Sequence, residues 1–194
     1  MGDGVERRDL LDAASRILAD EGLAALSLRR IAREAGASTM VIYTHFGDKD
    51  GLLRGLLTEG FRRFAAALRA VDERDPWDHV RELGRAYRRY AKANPSHFKL
   101  LFSHYWPEAR NDARYEEARR HGEAAFGTLL AAVTRVMAAL DRPARDVEPG
   151  AFQVWSTVHG YVSLELGGQM PPEVVDDLYE HALDFVAKGL GRRG

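Results

Sequence analysis

The chain has 194 residues, 28 Lys and Arg against 29 Asp and Glu, a formal net charge of -1, 45% hydrophobic residues and no cysteine. This is the composition of a globular chain with a sizeable core; it excludes disulfides, thiolate chemistry and Cys-based zinc sites, and it excludes an all-over positive coat while leaving room for a local basic patch. No apolar run reaches membrane-spanning length and the start, MGDGVERRD, lacks a hydrophobic signal core, so a cytoplasmic protein with no membrane partner is expected.

From Glu6 to Glu21, Leu10, Leu11, Ala14, Ile17 and Leu18 form an apolar stripe that Gly22 terminates, which predicts a first helix. Ser27 is placed to N-cap a second, in which Leu28, Ile31, Ala32 and Ala35 recur at helical spacing and leave Arg29, Arg30 and Arg33 outside. Gly36 supplies the left-handed residue that ends it, and Ser38 or Thr39 can cap the next helix within a few residues. Two short helices joined by so tight a turn are a helix-turn-helix. The second of them carries Thr39, Met40, Tyr43, Thr44 and His45 on one side, while Val41, Ile42 and Phe46 supply packing area. Hydroxyls, an imidazole and an exposed thioether on a short helix suit base edges and phosphates in a major groove. Asp48 can cap a fourth helix, and Lys49 follows at its first position. A cation there opposes the helix dipole at a cost of a few tenths of a kcal/mol, which makes sense if a DNA phosphate occupies that end.

The run AREAGASTMVIYTHFGDKDGLL resembles the DNA-binding domain of the tetracycline-repressor-like (TetR-family) transcriptional regulators, in which the recognition helix ends in Tyr-x-His-Phe and a Lys follows. The resemblance implies that Tyr43, His45 and Lys49 meet phosphates with Ser27 near the backbone, that Thr39, Met40 and Thr44 face base edges, and that Arg29 and Ser38 belong to the same DNA-facing set. Bulky Met40 departs from the family's commoner pattern, in which small or varied residues sit there. A thymine methyl is the base feature it could read, and simple packing is the alternative. The implied partition is a helix-turn-helix domain over residues 1–50 and a helical regulatory and dimerisation domain over 51–194.

Helix 4 runs from Asp48 to about Val71 with Leu52, Leu53, Leu56, Leu57, Phe61, Phe64 and Leu68 along one side. At about 1.5 Å per residue it is roughly 35 Å long, enough to link two packed regions. Asp75-Pro76 and Asn94-Pro95 each read as a cap with proline at the first helical position. The first opens a helix with Trp77, Val80, Gly84, Tyr87 and Ala91 inward, and its Arg81, Arg85, Arg88, Arg89 and Lys92 read as a solvated face rather than a second nucleic-acid patch. The second opens a short helix with Phe98, Leu101, Phe102 and Tyr105 that Pro107 ends. His97 and His104 share one face of it, but metal-binding helices use closer spacing, so no metal and no cofactor are expected. A long helix follows from about Asn111 to Leu140, and a proline-containing loop from Asp141 to Pro149. Ala151 to Leu166 is apolar nearly all round and so is buried on more than one side. The last helix starts at Pro171-Pro172 and presents Val174, Leu178, Phe185 and Leu190. The whole is all-α, with about nine helices and no strand signal. A literal G-x-G-x-x-G at Gly189, Gly191 and Gly194 follows a helix instead of opening one and is set aside.

In the block WSTVHGYVSLEL, Trp155 and His159 lie on one helix face, Gly160 permits close approach of another helix, and Glu165 needs a partner. The block resembles the Trp-His-Gly segment in the C-terminal domains of one subgroup of the same family. By that resemblance the last two helices pair with a second copy as a four-helix bundle, with Trp155, Val162, Leu166, Val174, Leu178 and Phe185 at the dimer interface. It also implies a pocket among the middle helices, for which Tyr87, Phe98, Phe102, Tyr105, Trp106, Phe126, Trp155 and His159 are the candidate lining. A small, mostly apolar effector suits such side chains. The expected function is a ligand-responsive regulator, a repressor, that binds near-palindromic double-stranded operator DNA as a homodimer and performs no chemistry. The alternative is a helical interaction protein whose helix-turn-helix is only scaffold. An enzyme ranks third, with His104, His159 and Glu165 as its only conceivable acid/base set.

Overall fold

The structure, a computed structural model, describes residues 5–102 and 112–191. Among the described residues there are nine α-helices and no strand: α1 Arg7–Glu21, α2 Leu28–Glu34, α3 Thr39–Phe46, α4 Lys49–Arg69, α5 Pro76–Ala93, α6 Pro95–Leu101, α7 Glu116–Ala139, α8 Val147–Leu166 and α9 Val175–Gly189. No helix among them is long and apolar enough to cross a membrane. Helix α8 begins earlier than the sequence predicts. Pro149 lies in its first turn, where a missing N–H costs nothing because that amide has no partner within the helix.

The chain divides into two compact units, Met1–Arg63 with Asn94–Gly122, and Phe64–Ala93 with Glu123–Gly194. Helices α4 and α7 contribute residues to both. The first unit thus takes in more than residues 1–50. Its core is built by α1, which packs on α2, α3 and α6 and buries Leu10, Ala14, Ile17 and Leu18 with Ile31, Ile42 and Leu101. Glu6 and Asp9 form a reciprocal capping box at the start of α1.

In the second unit α5, α8 and α9 pack together. Gly84 lets α9 approach α5 closely: an added Cβ would lie 2.5 Å from Leu183 Cδ2, and the buried Tyr179 hydroxyl donates to the Gly84 carbonyl at 2.6 Å. The basic stripe of α5, expected to be a solvated face, is largely ion-paired to acids of the same unit. Arg88 makes two bonds to Glu165, at 2.6 and 2.7 Å, and also reaches Asp176; Lys92 joins Glu165 at 2.8 Å; Arg85 grips Glu180; Arg81 pairs with Asp184. Glu165, the carboxylate on the apolar helix, thereby has its partners, and the Arg88 and Lys92 cations hold its carboxyl below the usual range.

Candidate functional site

The turn between α2 and α3 follows from local chemistry. Ser27 Oγ accepts the Arg30 amide at 3.3 Å and starts α2. Gly36 adopts φ +66°, the left-handed region that a residue with a side chain rarely enters. Ser38 stands at the N-cap of α3 but its hydroxyl makes no cap bond, which leaves it directed to solvent. Ile42 and Phe46 are buried under α3, and that fixes which side faces out.

The outward side presents Thr39, Met40, Tyr43, Thr44 and His45, all exposed, with Met40 at 69% and Tyr43 at 49%. Two of these side chains are already engaged. Thr44 Oγ1 donates to the Met40 carbonyl at 2.9 Å, so its oxygen lone pairs and methyl, and not its proton, are offered outward. His45 Nε2 lies 3.3 Å from the Val5 carbonyl, which ties the end of α3 to the chain ahead of α1.

Lys49 is exposed at the first position of α4, and Asp48 caps that helix by accepting the Gly51 amide at 2.6 Å. Ser27, Arg29, Ser38 and Lys49 are all exposed. The DNA-facing set predicted from sequence is therefore on the surface of one unit, and its apolar neighbours are not. Arg30 is drawn aside by Glu21, while Arg33 stays exposed.

The residues predicted to line a pocket are drawn from both units. Phe98 and Phe102 belong to the first unit, where their rings lie 4.8 Å apart and Phe102 meets Phe61 edge-on at 6.1 Å. Tyr105, Trp106 and His104 lie outside the described residues. The other four come together in the second unit. Phe126 lies 5.8 Å from Trp155, Trp155 lies 5.9 Å from His159, and the Tyr87 hydroxyl is 2.7 Å from His159 Nδ1. Sequence reading missed Phe64 and Phe152, which pack on Tyr87 and on Phe126 at 5.1 and 4.9 Å.

Burial pushes the Tyr87 hydroxyl pKa up, against a hydrogen bond from the Trp155 indole that lowers it. Burial also lowers the His159 pKa, so the imidazole is neutral at pH 7. The Tyr87 hydroxyl and His159 Nδ1 share a hydrogen bond, and His159 Nε2 lies 3.4 Å from Ser163 Oγ. The cluster is an apolar aromatic wall around a neutral hydrogen-bonded string.

The apolar face predicted for dimerisation is largely unfilled. Phe185 is 73% exposed, and Phe152, Leu164 and Val174 are exposed with it. Trp155, Leu166 and Leu178 are half-buried. Val162 corrects the expectation: it is fully buried in its own chain, because it points to the same side of α8 as Val154 and Val158. Among the described residues nothing lies within 4 Å of a Cβ added at Gly160, so none of the described helices uses the close approach it permits.

Residues 10–56 match the family described as bacterial regulatory proteins, tetR family, and residues 80–186 match the tetracyclin repressor-like C-terminal domain. The chain is 29% identical over 195 residues to the HTH-type transcriptional regulator Rv1816 of Mycobacterium tuberculosis, covering 87% of this chain and 83% of that one. Among solved structures it is similar to a protein of unknown function from Rhodococcus sp. RHA1, with a TM-score of 0.83 and 32% identity over 97% of both chains. It also shares the fold of the TetR-family regulator PfmR from Thermus thermophilus, with a TM-score of 0.71 and 20% identity over 98% of this chain and 100% of that one. A family match that spans the helix-turn-helix and the C-terminal helices places the chain in the TetR family of helix-turn-helix transcriptional regulators.

Proposed function

We propose that the chain is a ligand-responsive repressor: a cytoplasmic homodimer that binds a near-palindromic operator and leaves it when a small apolar molecule occupies the second unit. The observation that carries the reading is the division of α3 into a buried side, Ile42 and Phe46, and an exposed side of Thr39, Met40, Tyr43, Thr44 and His45, with Lys49 at the head of α4. Tyr43, His45 and Lys49, with the Ser27 and Ser38 hydroxyls and Arg29, contact phosphates and fix register. Thr39, Met40 and Thr44 read bases, Thr44 as an acceptor or through its methyl. No step is catalytic.

Members of the family bind operator DNA and dimerise. Here the exposed Phe152, Leu164, Val174 and Phe185, with Leu178, form the surface offered to a second copy, and Gly160 is where the partner's helix comes close. Two α3 helices then meet successive major grooves when their separation matches the DNA repeat, about 34–36 Å. The effector sits against Tyr87, Phe126, Trp155 and His159. It is uncharged or weakly polar, because the side chains there are aromatic and the imidazole is neutral. A ligand that favours one arrangement of these helices shifts the population of the DNA-competent state, with α4, shared by both units, as the link.

The test is fluorescence anisotropy with DNA flanking the chain's own coding sequence, across a salt series. Wild type is expected to saturate on one short duplex and to weaken as salt rises, and the double variant Tyr43→Ala with Lys49→Ala to lose that binding. Equal, sequence-independent binding by both proteins refutes the reading.

A further inference from the structure

The turn that leads into α7 reaches back to the first turn of α4 within the same unit. Tyr115 is buried, and its hydroxyl donates to Asp50 Oδ1 at 2.9 Å across 65 residues of sequence. Arg54, one helical turn beyond Asp50, donates to Oδ2, and its guanidinium lies over the Tyr115 ring at 5.7 Å from the centroid. Arg114, itself held by Asp112, brings a second guanidinium to 3.7 Å from Asp50. Both oxygens of this carboxylate are thus engaged.

Its position gives the arrangement a purpose. Asp50 stands between Lys49 and Gly51, in the turn whose end faces the expected phosphate. A carboxylate in a first turn favours the helix dipole, but a free one beside a phosphate repels it. Held by a phenol and a guanidinium, with a second guanidinium close by, Asp50 supports the helix end while its charge is compensated.

We infer that Tyr115 is a positioning residue for operator binding, which by holding Asp50 fixes the first turn of α4 so that Lys49 meets a DNA phosphate. The inference rests on the reading of Lys49 as a phosphate contact. Tyr115 lies far outside the helix-turn-helix, so the DNA-reading surface is completed by a segment that the sequence alone assigns to the regulatory half.

The experiment uses the full chain and a duplex that the wild-type protein selects from a random-sequence pool, with affinity measured at several salt concentrations. Tyr115→Phe is expected to weaken binding about tenfold, the size of one hydrogen bond to a charged group. It should also flatten the log–log salt dependence by about 0.9 for each phosphate that is no longer neutralised, as Lys49→Ala does. In an Asp50→Ala background the same substitution should change affinity by less than about twofold, because the group it acts through is gone. A wild-type slope and affinity in Tyr115→Phe, or an undiminished loss in the Asp50→Ala background, overturns the inference. If Lys49→Ala itself leaves the slope unchanged, the phosphate reading fails first and the inference with it. Should Tyr115→Phe melt early, Arg54→Lys loosens the same carboxylate from its other side; the flattened slope is expected there too, and an unchanged one overturns the inference.

Discussion

Gly51 is the position at which the DNA-facing end of this fold has least room. In Gly51→Ala the new Cβ would lie 1.9 Å from the Phe46 carbonyl oxygen and 3.0 Å from its carbon. The obstacle is the last residue of α3 and is backbone, so it cannot turn aside as a side chain can. Relief requires α3 and α4 to part by about 1 Å, and overpacking of that kind costs about 3 kcal/mol. For a chain of this size that is about 6–12 °C in Tm. The shift also moves Lys49 relative to Tyr43, so operator affinity falls even at temperatures where the variant is folded. Gly127→Ala is the control. Gly127 lies inside α7 with none of the described atoms within 4 Å of an added Cβ, and alanine there is expected to stabilise by about 1 kcal/mol through helix propensity alone. Thermal and urea unfolding followed by far-UV circular dichroism, with anisotropy on the selected duplex, measure both effects. A Gly51→Ala protein with wild-type Tm and affinity would show that the α3–α4 junction does not have the geometry described.

Three further outcomes are expected. Glu165→Ala leaves Arg88, whose side chain is 14% exposed, without its two-bonded partner; with Asp176 still beside it, the loss is about 3 kcal/mol in urea unfolding, and a change below about 0.5 kcal/mol contradicts the ion-pair seam. Burial lowers the pKa of His79, His97 and His159 from 6.5, so the unfolded chain takes up protons that the folded chain refuses. Stability is therefore flat above about pH 6.5 and falls as pH drops below it, and His159→Gln should make that fall shallower; a profile that does not change speaks against a buried neutral imidazole. Leu178→Asp with Phe185→Asp should give monomers by light scattering at concentrations where wild type is dimeric, and an unchanged dimer moves the interface away from α9.

What sequence revealed and what it concealed divide by range. The helix-turn-helix was legible because its signals are local: Ser27 caps within three residues, Gly36 turns the chain where it stands, and Ile42 and Phe46 mark the buried side of α3 by spacing alone. Partners distant in sequence were not legible. Nothing near Arg88 announces Glu165 or Asp176, nothing near Asp50 announces Tyr115, and the charges of α5 looked solvated because most of the acids that meet them come from α8 and α9. Val162 shows the limit of a helical wheel, since a helix that is apolar on most sides does not say which side its own chain covers. Among the aromatic candidates for the effector site, residue type did not say which share a unit: Tyr87, Phe126, Trp155 and His159 come together in the second, while Phe98 and Phe102 pack on each other in the first.

The central claim is that two copies of α3 read two halves of one operator. Hydroxyl-radical footprinting of the selected duplex tests it most directly, with wild type beside the Tyr43→Ala and Lys49→Ala double variant. The account predicts two protected patches related by two-fold symmetry, centred about one or more helical turns apart, appearing together as protein is added and absent with the variant. Uniform protection along the duplex, or a pattern that the variant reproduces, would contradict it.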